Sequence, residues 1–315
     1  MAKKKTSDRK LKTGANSNEQ VNAARRSRHG GILTVVFSCL SLAWIMPILV
    51  VVLNSFKRKA YIFKYPFGIS SKSFFEDGFE KWKAGIEKVM CGLLNYKNAL
   101  DKTDFFSCFG VSLFITVGSV LAIILFCSMA AWYLTRVHTK LSKVIYTLCL
   151  FSMVVPFQMV MFTLSKFANM LHLANPLGII VVYLGFGAGL AVFMFSGFIR
   201  SISLEIEEAA VIDGCNPIQT FFRVIFPILK PTTVTIAILE AMWVWNDYLL
   251  PSLVLNVNKY RTIPIAVQYL RQSHGQLDWG AMMAVLVLAI IPIVVFYLAC
   301  QKYIIEGVIA GAVKG

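Results

Sequence analysis

One stretch of the chain, residues 201–227, has the sequence SISLEIEEAAVIDGCNPIQTFFRVIFP and concentrates several helix-boundary signals. Ser201 or Ser203 can cap a first helix, and the glutamates that follow favour a helix N-terminus. Gly214 is the residue type that most often follows the last turn of a helix. The stretch therefore predicts a short first helix that ends in a glycine turn.

A second helix is expected directly after this turn. Asn216 can cap it, Pro217 suits the first helical position, and Gln219 completes a pattern similar to a capping box. Pro227 is expected to end it. Apolar side chains recur along it at helical spacing, and they are Ile218, Phe221, Phe222 and Ile225.

Long apolar runs lie on both sides of this helix pair. A bilayer core of about 30 Å needs about 20 apolar residues per helix. Five runs contain no charged residue, and they are 32–53, 105–134, 144–165, 176–199 and 279–301. A sixth run, 231–258, contains only Glu240 and Asp247. The sequence thus predicts an all-α integral membrane protein with six transmembrane helices and the connection 200–230 between helices 4 and 5.

The composition supports a membrane protein. Hydrophobic residues make up 57% of the 315 residues and charged residues only 15%, whereas soluble domains are about 25% charged. The seven cysteines are scattered without a CxxC pair, so we expect small apolar side chains rather than a zinc or redox site. No metal site is predicted, and His274 is expected to be a solvated loop residue.

The net charge of +15 is concentrated in two places. Residues 1–30 carry nine Lys and Arg against two acids, which predicts a disordered cytoplasmic tail, with the transmembrane domain over 31–315. Six spans then put both termini in the cytoplasm, and the basic connection around Lys140 agrees. The segment 54–104 has ten basic and six acidic residues, but at about 50 residues its charge has little influence on orientation. The charge is therefore mostly an orientation signal plus a basic external loop, and not a nucleic-acid footprint. The first span is expected to remain uncleaved.

The connection 200–230 has two interpretations. It carries three basic and four acidic residues, whereas a simple cytoplasmic linker would be basic. It could be a surface helix pair that packs on its own bundle. It could also dock a soluble partner, since Ala209 and Ala210 allow close backbone approach and the Gly214 turn would present the first helix outward.

The spacing within this connection resembles the EAA loop of ABC importer permeases. In that family, EAA is followed by three residues, Gly, nine residues and Ile-x-Leu-Pro. This chain has Val and Phe in place of the Ile and Leu, which keeps the apolar bulk. The matching residues are Glu208, Ala209, Ala210, Gly214, Val224, Phe226 and Pro227.

Other segments extend the resemblance over most of the chain. Leu94-Asn95-Tyr96 is similar to the family's segment before the second span. Trp245-Asn246-Asp247-Tyr248 with Pro251 resembles the carbohydrate branch, and residues 307–315 resemble the end of the maltose-type second permease. Val111 departs from the family, which usually has Asn before the serine that follows.

The resemblance implies the function and its partners. A second permease subunit would pair with this chain, two ABC ATPase subunits would bind ATP and Mg²⁺, and an extracytoplasmic sugar-binding protein would deliver a sugar for alternating access. The chain would not be an enzyme and would bind no cofactor itself, and its sequence contains no GxxxxGK[ST] phosphate loop. The C-terminal Lys314 and Gly315 would lie at the ATPase interface. The implied coupling residues are Glu208, Ala209, Ala210, Asp213, Gly214 and Pro227.

The fifth span contains candidate residues of the solute pathway. Glu240 and Asp247 are seven residues apart, which predicts one helical face, and a charge within a span usually faces the bundle interior or a water-filled path. Trp243 lies on the same side and Asn246 is adjacent, so the group offers an aromatic face and polar atoms to a sugar. Alternatively, the two carboxylates bond neighbouring helices or the partner permease.

Two segments are expected outside the membrane. A helical stripe is predicted to lie at the membrane surface, with contact to the binding protein as the alternative, and it comprises Phe79, Trp82, Ile86 and Val89. The loop 257–278 faces the binding protein by resemblance, and its basic residues and histidine are Lys259, Arg261, Arg271 and His274.

Other functions remain as alternatives. An ABC permease for amino acids, polyamines or phosphate is the nearer one. An ion-coupled secondary transporter or a channel could use intramembrane acids, but the sequence shows no convincing repeat in two halves. A membrane enzyme is disfavoured because the loops lack a nucleophile–base or metal-ligand constellation.

Overall fold

The computed structural model of the protein describes residues 30–272 and 278–312. The basic tail over 1–29, His274, the side chain of Arg271 and the C-terminal Lys314 and Gly315 lie outside the described residues. The chain divides into two compact units, one up to Leu53 and one from Asn54 onward. The prediction of an all-α membrane protein is confirmed, since the described residues form helices and only one isolated β-bridge.

The first apolar run forms helix α1, Gly30–Ser55, which is long and apolar enough to cross a membrane. Pro47 lies within it without ending it. Nearly all of its described side chains before Val50 are exposed and apolar, as expected for a surface that faces lipid or another membrane protein.

The segment 54–104 is built from short helices rather than an open loop. They are α2 (Lys59–Ile62), α3 (Phe74–Asp77), α4 (Phe79–Val89) and α5 (Leu94–Thr103). The predicted apolar stripe does form a helix, α4, in which Val89 is fully buried and Phe79 is exposed. Its contact with the membrane surface stays a prediction.

Lys57 organises the beginning of this segment. It is fully buried, and its ammonium donates to Asn54 Oδ1 at 2.9 Å. It also donates to the carbonyl oxygens of Tyr65 at 2.8 Å and Pro66 at 3.1 Å. Burial lowers the pKa of Lys57. One of the basic residues of this segment is therefore an internal cation and not part of the charged surface.

Three further runs form long, uninterrupted helices. They are α6 (Phe105–Arg136), α9 (Pro176–Ile199) and α16 (Trp279–Ala312). Helix α9 begins at the predicted residue because Asn175 Oδ1 accepts from the N–H groups of Leu177 and Gly178, at 3.1 and 2.9 Å. Among the described residues, four helices are long and apolar enough to cross a membrane, and two bent helix pairs raise the number to as many as six.

The predicted third span, 144–165, is bent and not one continuous helix. Helices α7 (Lys140–Ser152) and α8 (Phe157–Met170) meet at an angle of 109°. Pro156 lies four residues after Ser152, so in a continuous helix its ring would crowd the Ser152 carbonyl. The helix ends at that serine instead.

The fifth run is also broken, and the prediction of one helix over 231–258 is wrong. Helix α13 (Lys230–Asn246) ends before Asp247, and α14 (Leu249–Val254) follows. Asp247 has an extended backbone, with ψ of 123°, and Pro251 would crowd its carbonyl in a continuous helix. Glu240 and Asp247 therefore do not share one face of a regular helix.

The predicted loop 257–278 contains helix α15, Ile263–Gln272. Its first N–H, from Ile263, donates to Ser112 Oγ of α6 at 2.8 Å. At the start of α16, Asp278 pairs with Lys102 of α5 and accepts from the Ala281 N–H at 3.2 Å. Partial burial acts to raise the pKa of Asp278, but these two donors hold it below its ordinary value.

Candidate coupling segment and solute pathway

The coupling segment, residues 200–230, begins with helix α10, Leu204–Ile212. Ser203 caps it, because its Oγ accepts from the Glu205 N–H at 3.3 Å. Two glutamates in the first turn suit the positive end of the helix dipole. The sequence prediction of this helix and its cap is confirmed.

Gly214 ends α10 in the predicted glycine turn. Its φ is +84°, a conformation that side chains with a Cβ disfavour. The Gly214 N–H donates to the Val211 carbonyl and the Cys215 N–H donates to the Ala210 carbonyl, both at 2.9 Å. These two hydrogen bonds form a Schellman motif and satisfy the carbonyls that the helix end leaves free.

The second helix begins with the predicted capping box. Asn216 Oδ1 accepts from the Gln219 N–H, and Gln219 Oε1 accepts from the Asn216 N–H, each at 2.9 Å. Both ends of the intervening turn are therefore fixed by local hydrogen bonds. This makes the helix pair a well-defined unit and not a flexible connection.

Pro227 does not end the second helix, so that prediction is wrong. The chain runs through α11 (Pro217–Thr220), a π turn (Phe221–Ile225) and α12 (Phe226–Ile228), then bends by 76° into α13. The π turn places the Phe226 N–H on the Phe221 carbonyl. This wider turn shifts the hydrogen-bond register immediately before the proline, which lacks an N–H.

Glu207 fastens α10 to the end of α6. Its Oε1 accepts from Arg136 Nε at 2.8 Å and forms an ion pair with Arg136 Nη2 at 2.7 Å. Its Oε2 accepts from Trp132 Nε1 at 3.1 Å. Arg136 also donates to the Ile202 carbonyl at 3.0 Å. Sequence reasoning missed this role because Glu207 lies 71 residues from Arg136.

Apolar packing attaches the second helix of the segment to α6 and α9. Phe221 and Ile225 are buried in a core shared by α6 and α9, and the Phe221 ring lies 5.6 Å from that of Trp132. Ile218 and Phe222, from the same predicted stripe, are exposed. The stripe is therefore divided between the bundle and the surface.

The coupling segment carries large apolar side chains that are uncovered in the described structure. Ile212 is 86% exposed and Ile218 is 68% exposed. Large exposed apolar side chains on a well-ordered helix pair are typical of an interaction site.

The structure places the predicted coupling residues in two environments. Ala210 is only 6% exposed and contributes to the inner face of α10. The others are exposed, and they are Glu208, Ala209, Asp213, Gly214 and Pro227. Adjacent carboxylates thus differ: Glu207 holds the helix to the bundle, while Glu208 is free to meet a partner.

Two of the predicted pathway residues come together around Tyr183 of α9. The Tyr183 hydroxyl donates to Asp247 Oδ2 at 3.0 Å, and its ring meets that of Trp243 edge to face at 5.4 Å. Asp247 Oδ1 also accepts from the N–H groups that begin α14. Trp243 remains 41% exposed. A tyrosine within an otherwise apolar span was the signal that could have indicated this residue.

The other two pathway residues lie elsewhere. Glu240 is 2% exposed, and a Cβ on Gly187 of α9 would lie 3.1 Å from its Oε2. That oxygen has no hydrogen-bond partner among the described residues. Asn246 is exposed and donates to the Met242 carbonyl at 2.7 Å within α13. The four predicted residues therefore do not form one cluster.

A small cavity of about 230 Å³ lies between α6, α13 and α16. Its wall includes Trp245 and Met242, and Thr116 is its one polar side chain among the described residues. A sugar needs several hydrogen-bonding partners, so this cavity is unsuited to one. In the described part of the chain, no group of three or more His, Cys, Asp or Glu is placed to hold a metal ion.

Several helices long and apolar enough to cross a membrane, with an ordered helix pair between two of them, define the class: a multi-pass membrane protein. The chain belongs to the family described as binding-protein-dependent transport system inner membrane component, whose model matches residues 123–309. It is therefore a permease subunit and a multi-pass protein of the inner membrane.

Curated relatives match nearly the whole chain. The chain is 38% identical over 283 residues to the "Probable starch degradation products transport system permease protein AmyC" of Thermoanaerobacterium thermosulfurigenes, covering 90% of this chain and 96% of the relative. It is 32% identical over 296 residues to the "Melibiose/raffinose/stachyose import permease protein MelC" of Bacillus subtilis (strain 168), covering 93% and 99%.

A solved structure shows the same fold. A chain of a bacterial ABC transporter involved in the import of the acidic polysaccharide alginate matches with a TM-score of 0.68 and 22% identity. The match covers 87% of this chain and 95% of the other.

Proposed function

We propose that this protein is one of two permease subunits of an ATP-driven importer for sugars, in particular oligosaccharides. The relatives support the substrate class, since the names of both AmyC and MelC refer to carbohydrates. The alternatives are a permease for a non-sugar solute and, further removed, an ion-coupled transporter that uses the buried Glu240.

The observation that carries the proposal is the coupling segment. Its inner side is attached to α6 by the Glu207–Arg136 ion pair and by the packing of Phe221. Elsewhere on the segment, Ala209 and Ile212 are exposed. A rigid lever of this kind transmits motion from a partner to the spans, because its displacement must move α6 and α9 with it. We infer that the partner is an ABC ATPase subunit.

The complete assembly would contain this chain, a second permease and two ATPase subunits. ATP and Mg²⁺ would bind to the ATPase subunits, so hydrolysis would take place outside this chain. A sugar-binding protein would deliver solute to the segment 54–104 and the region of α15. The coupling segment and both termini would then lie in the cytoplasm, and Lys314 and Gly315 would be close to the ATPase.

For the solute pathway, we propose that Trp243 and Asn246 face the sugar. Trp243 offers an exposed ring to the apolar face of a sugar, and Asn246, three residues further along α13, offers an exposed polar side chain. Asp247 would act together with Tyr183, since three donors already occupy its oxygens. Glu240 would contribute only in a conformation that opens the contact between α13 and α9.

The experiment is uptake of a panel of radiolabelled oligosaccharides by cells with the binding protein, the second permease and the ATPase. ATP-dependent uptake of at least one oligosaccharide is expected. Ile212→Ser should reduce uptake and co-purification of the ATPase, whereas Leu93→Ser, at a similarly exposed residue outside the coupling segment, should leave both unchanged. Uptake that persists without the ATPase, or that follows a proton gradient, would refute the proposal.

A further inference from the structure

A second feature of the bundle is a cavity of about 870 Å³ at the end where α6 finishes, α7 begins and α9 finishes. It lies beside the coupling segment, because Arg200, on its wall, is the residue at which α9 passes into that segment. The coupling residues described above play no part in it apart from Arg136, whose charge is already paired with Glu207.

The wall of this cavity is basic. Lys140, Lys143 and Arg200 all line it and are exposed, and none of them forms an ion pair with a residue that the structure describes. No acidic residue is among the described side chains of the wall. The cavity therefore has an uncompensated positive charge, which attracts an anion.

The inner wall holds a polar group without a partner. Thr135 is only 9% exposed and lines the cavity, and its hydroxyl makes no hydrogen bond with the described residues. Buried hydroxyls are normally satisfied. A ligand with acceptor oxygens would accept a hydrogen bond from the Thr135 hydroxyl. An excess of surface lysines alone does not account for this unpaired hydroxyl.

The remaining wall is amphipathic. The Arg200 guanidinium lies over the Tyr146 ring at 5.4 Å, and Leu150 continues the wall along α7. Leu134 of α6 also lines the cavity. An anion held by the basic residues would therefore have an apolar surface beside it that suits acyl chains.

We propose that this cavity binds the phosphate headgroup of an anionic phospholipid of the cytoplasmic leaflet. The leaflet follows from the proposed cytoplasmic position of the coupling segment. Basic pockets between transmembrane helices on this side are suited to anionic headgroups. The headgroup phosphate would accept from Lys143 and Arg200, and the acyl chains would lie along α7. A lipid at this site would stiffen the joint between α6 and α7, next to the anchor of the coupling segment.

The test uses the purified complete transporter in nanodiscs of phosphatidylcholine with about 20% phosphatidylglycerol, which supplies the anionic headgroup. Native mass spectrometry after release from the nanodisc counts the phosphatidylglycerol molecules that remain bound. For Lys143→Gln with Arg200→Gln, the preference for phosphatidylglycerol over phosphatidylcholine should fall about fivefold for each charge removed. Lys64→Gln with Lys97→Gln removes the same charge from the segment 54–104 and should leave the preference unchanged.

Two conservative variants keep the test independent of folding. Lys143→Arg with Arg200→Lys should retain the lipid, and Thr135→Val, close in shape, should lower its retention severalfold. The proposal fails if the charge-removing variant retains phosphatidylglycerol like the wild type. It also fails if sn-glycerol 3-phosphate or inorganic phosphate binds equally well without lipid, or if this variant loses the ATPase instead of lipid. The readout is bound lipid and not uptake, so the lipid proposal can be tested even if the proposed substrate class is wrong.

Discussion

The most informative perturbation of the coupling segment is Glu207→Gln. This change keeps the shape of the side chain and removes its charge, so Arg136 loses its ion-pair partner. Glu207 accepts hydrogen bonds from Arg136 Nε at 2.8 Å and Trp132 Nε1 at 3.1 Å, and its Oε1 forms an ion pair with Arg136 Nη2 at 2.7 Å. The variant therefore weakens the polar part of the anchor and leaves the Phe221 packing in place.

The magnitude follows from burial and hydrogen bonding. The side chains of Arg136 and Glu207 are 17% and 13% exposed, so water compensates only part of the lost interaction. Hydrogen bonds to charged groups contribute about 1.5–3 kcal/mol, and breaking a fully buried ion pair costs about 3–5 kcal/mol. We expect attachment of α10 to weaken by about 2–3 kcal/mol, which corresponds to a factor of roughly 30–150 in the attached-to-detached ratio.

Hydrogen exchange of the α10 amides in the assembled transporter measures this ratio, because exchange of a helix amide requires local opening. Exchange should become faster by the same factor. ATP hydrolysis should continue while the sugar transported per ATP falls, since a loosened lever moves without the spans.

Glu205→Gln is the matched control, because Glu205 lies two residues from Glu207 on the same helix and its side chain is exposed. It should change neither exchange nor coupling. If Glu207→Gln behaved like Glu205→Gln in both measurements, the ion pair would not hold the lever and the reasoning would be wrong.

Three further predictions concern other sites. Gly214→Asp should leave membrane insertion intact but uncouple ATPase activity from uptake; Gly214→Asn, which tolerates positive φ, separates backbone strain from side-chain bulk, and normal uptake by the aspartate variant would contradict a coupling role. Trp243→Ala and Asp247→Asn should alter sugar preference or apparent affinity in competitive uptake assays, and unchanged values would exclude both from the pathway. Because its folded pKa is lowered, Asp278 should stabilise the protein above about pH 4 and lose this contribution as pH falls through the lower folded value; thermal unfolding of Asp278→Asn should lack this acid-dependent loss, and an identical pH profile would contradict the pairing with Lys102.

Local signals in the sequence sufficed for much of the coupling segment. The caps at Ser203 and Asn216 and the turn at Gly214 depend on residues within a few positions of one another, and the structure has all three. The start of α9 coincides with the start of the apolar run 176–199, and the structure adds the Asn175 cap. These elements were predictable because their hydrogen bonds are formed within single turns.

The broken spans were harder to predict because proline does not act alone. Pro47 and Pro292 lie inside continuous helices, while helices end four residues before Pro156 and five residues before Pro251. At the latter break, the Asp247 side chain caps the next helix, so the interruption is locally stabilised. Hydropathy does not distinguish the two outcomes.

The residues that sequence reasoning missed depend on contacts between distant parts of the chain. Glu207 meets Arg136 across 71 residues, and Tyr183 meets Asp247 across 64. In the sequence, Lys57 is one of several basic residues in a charged segment. In the structure it is fully buried and donates to two backbone carbonyls. Spacing within one helix carries no information on such pairs.

A photo-activated cross-linker at position 212 of α10 tests the central claim most directly. Ile212 is exposed, so a benzoylphenylalanine there should reach whatever docks on the coupling segment. The account predicts an adduct with an ABC ATPase subunit of the assembled transporter, formed in a yield that changes when ATP is added. Adducts only with lipid or with this chain itself would contradict it.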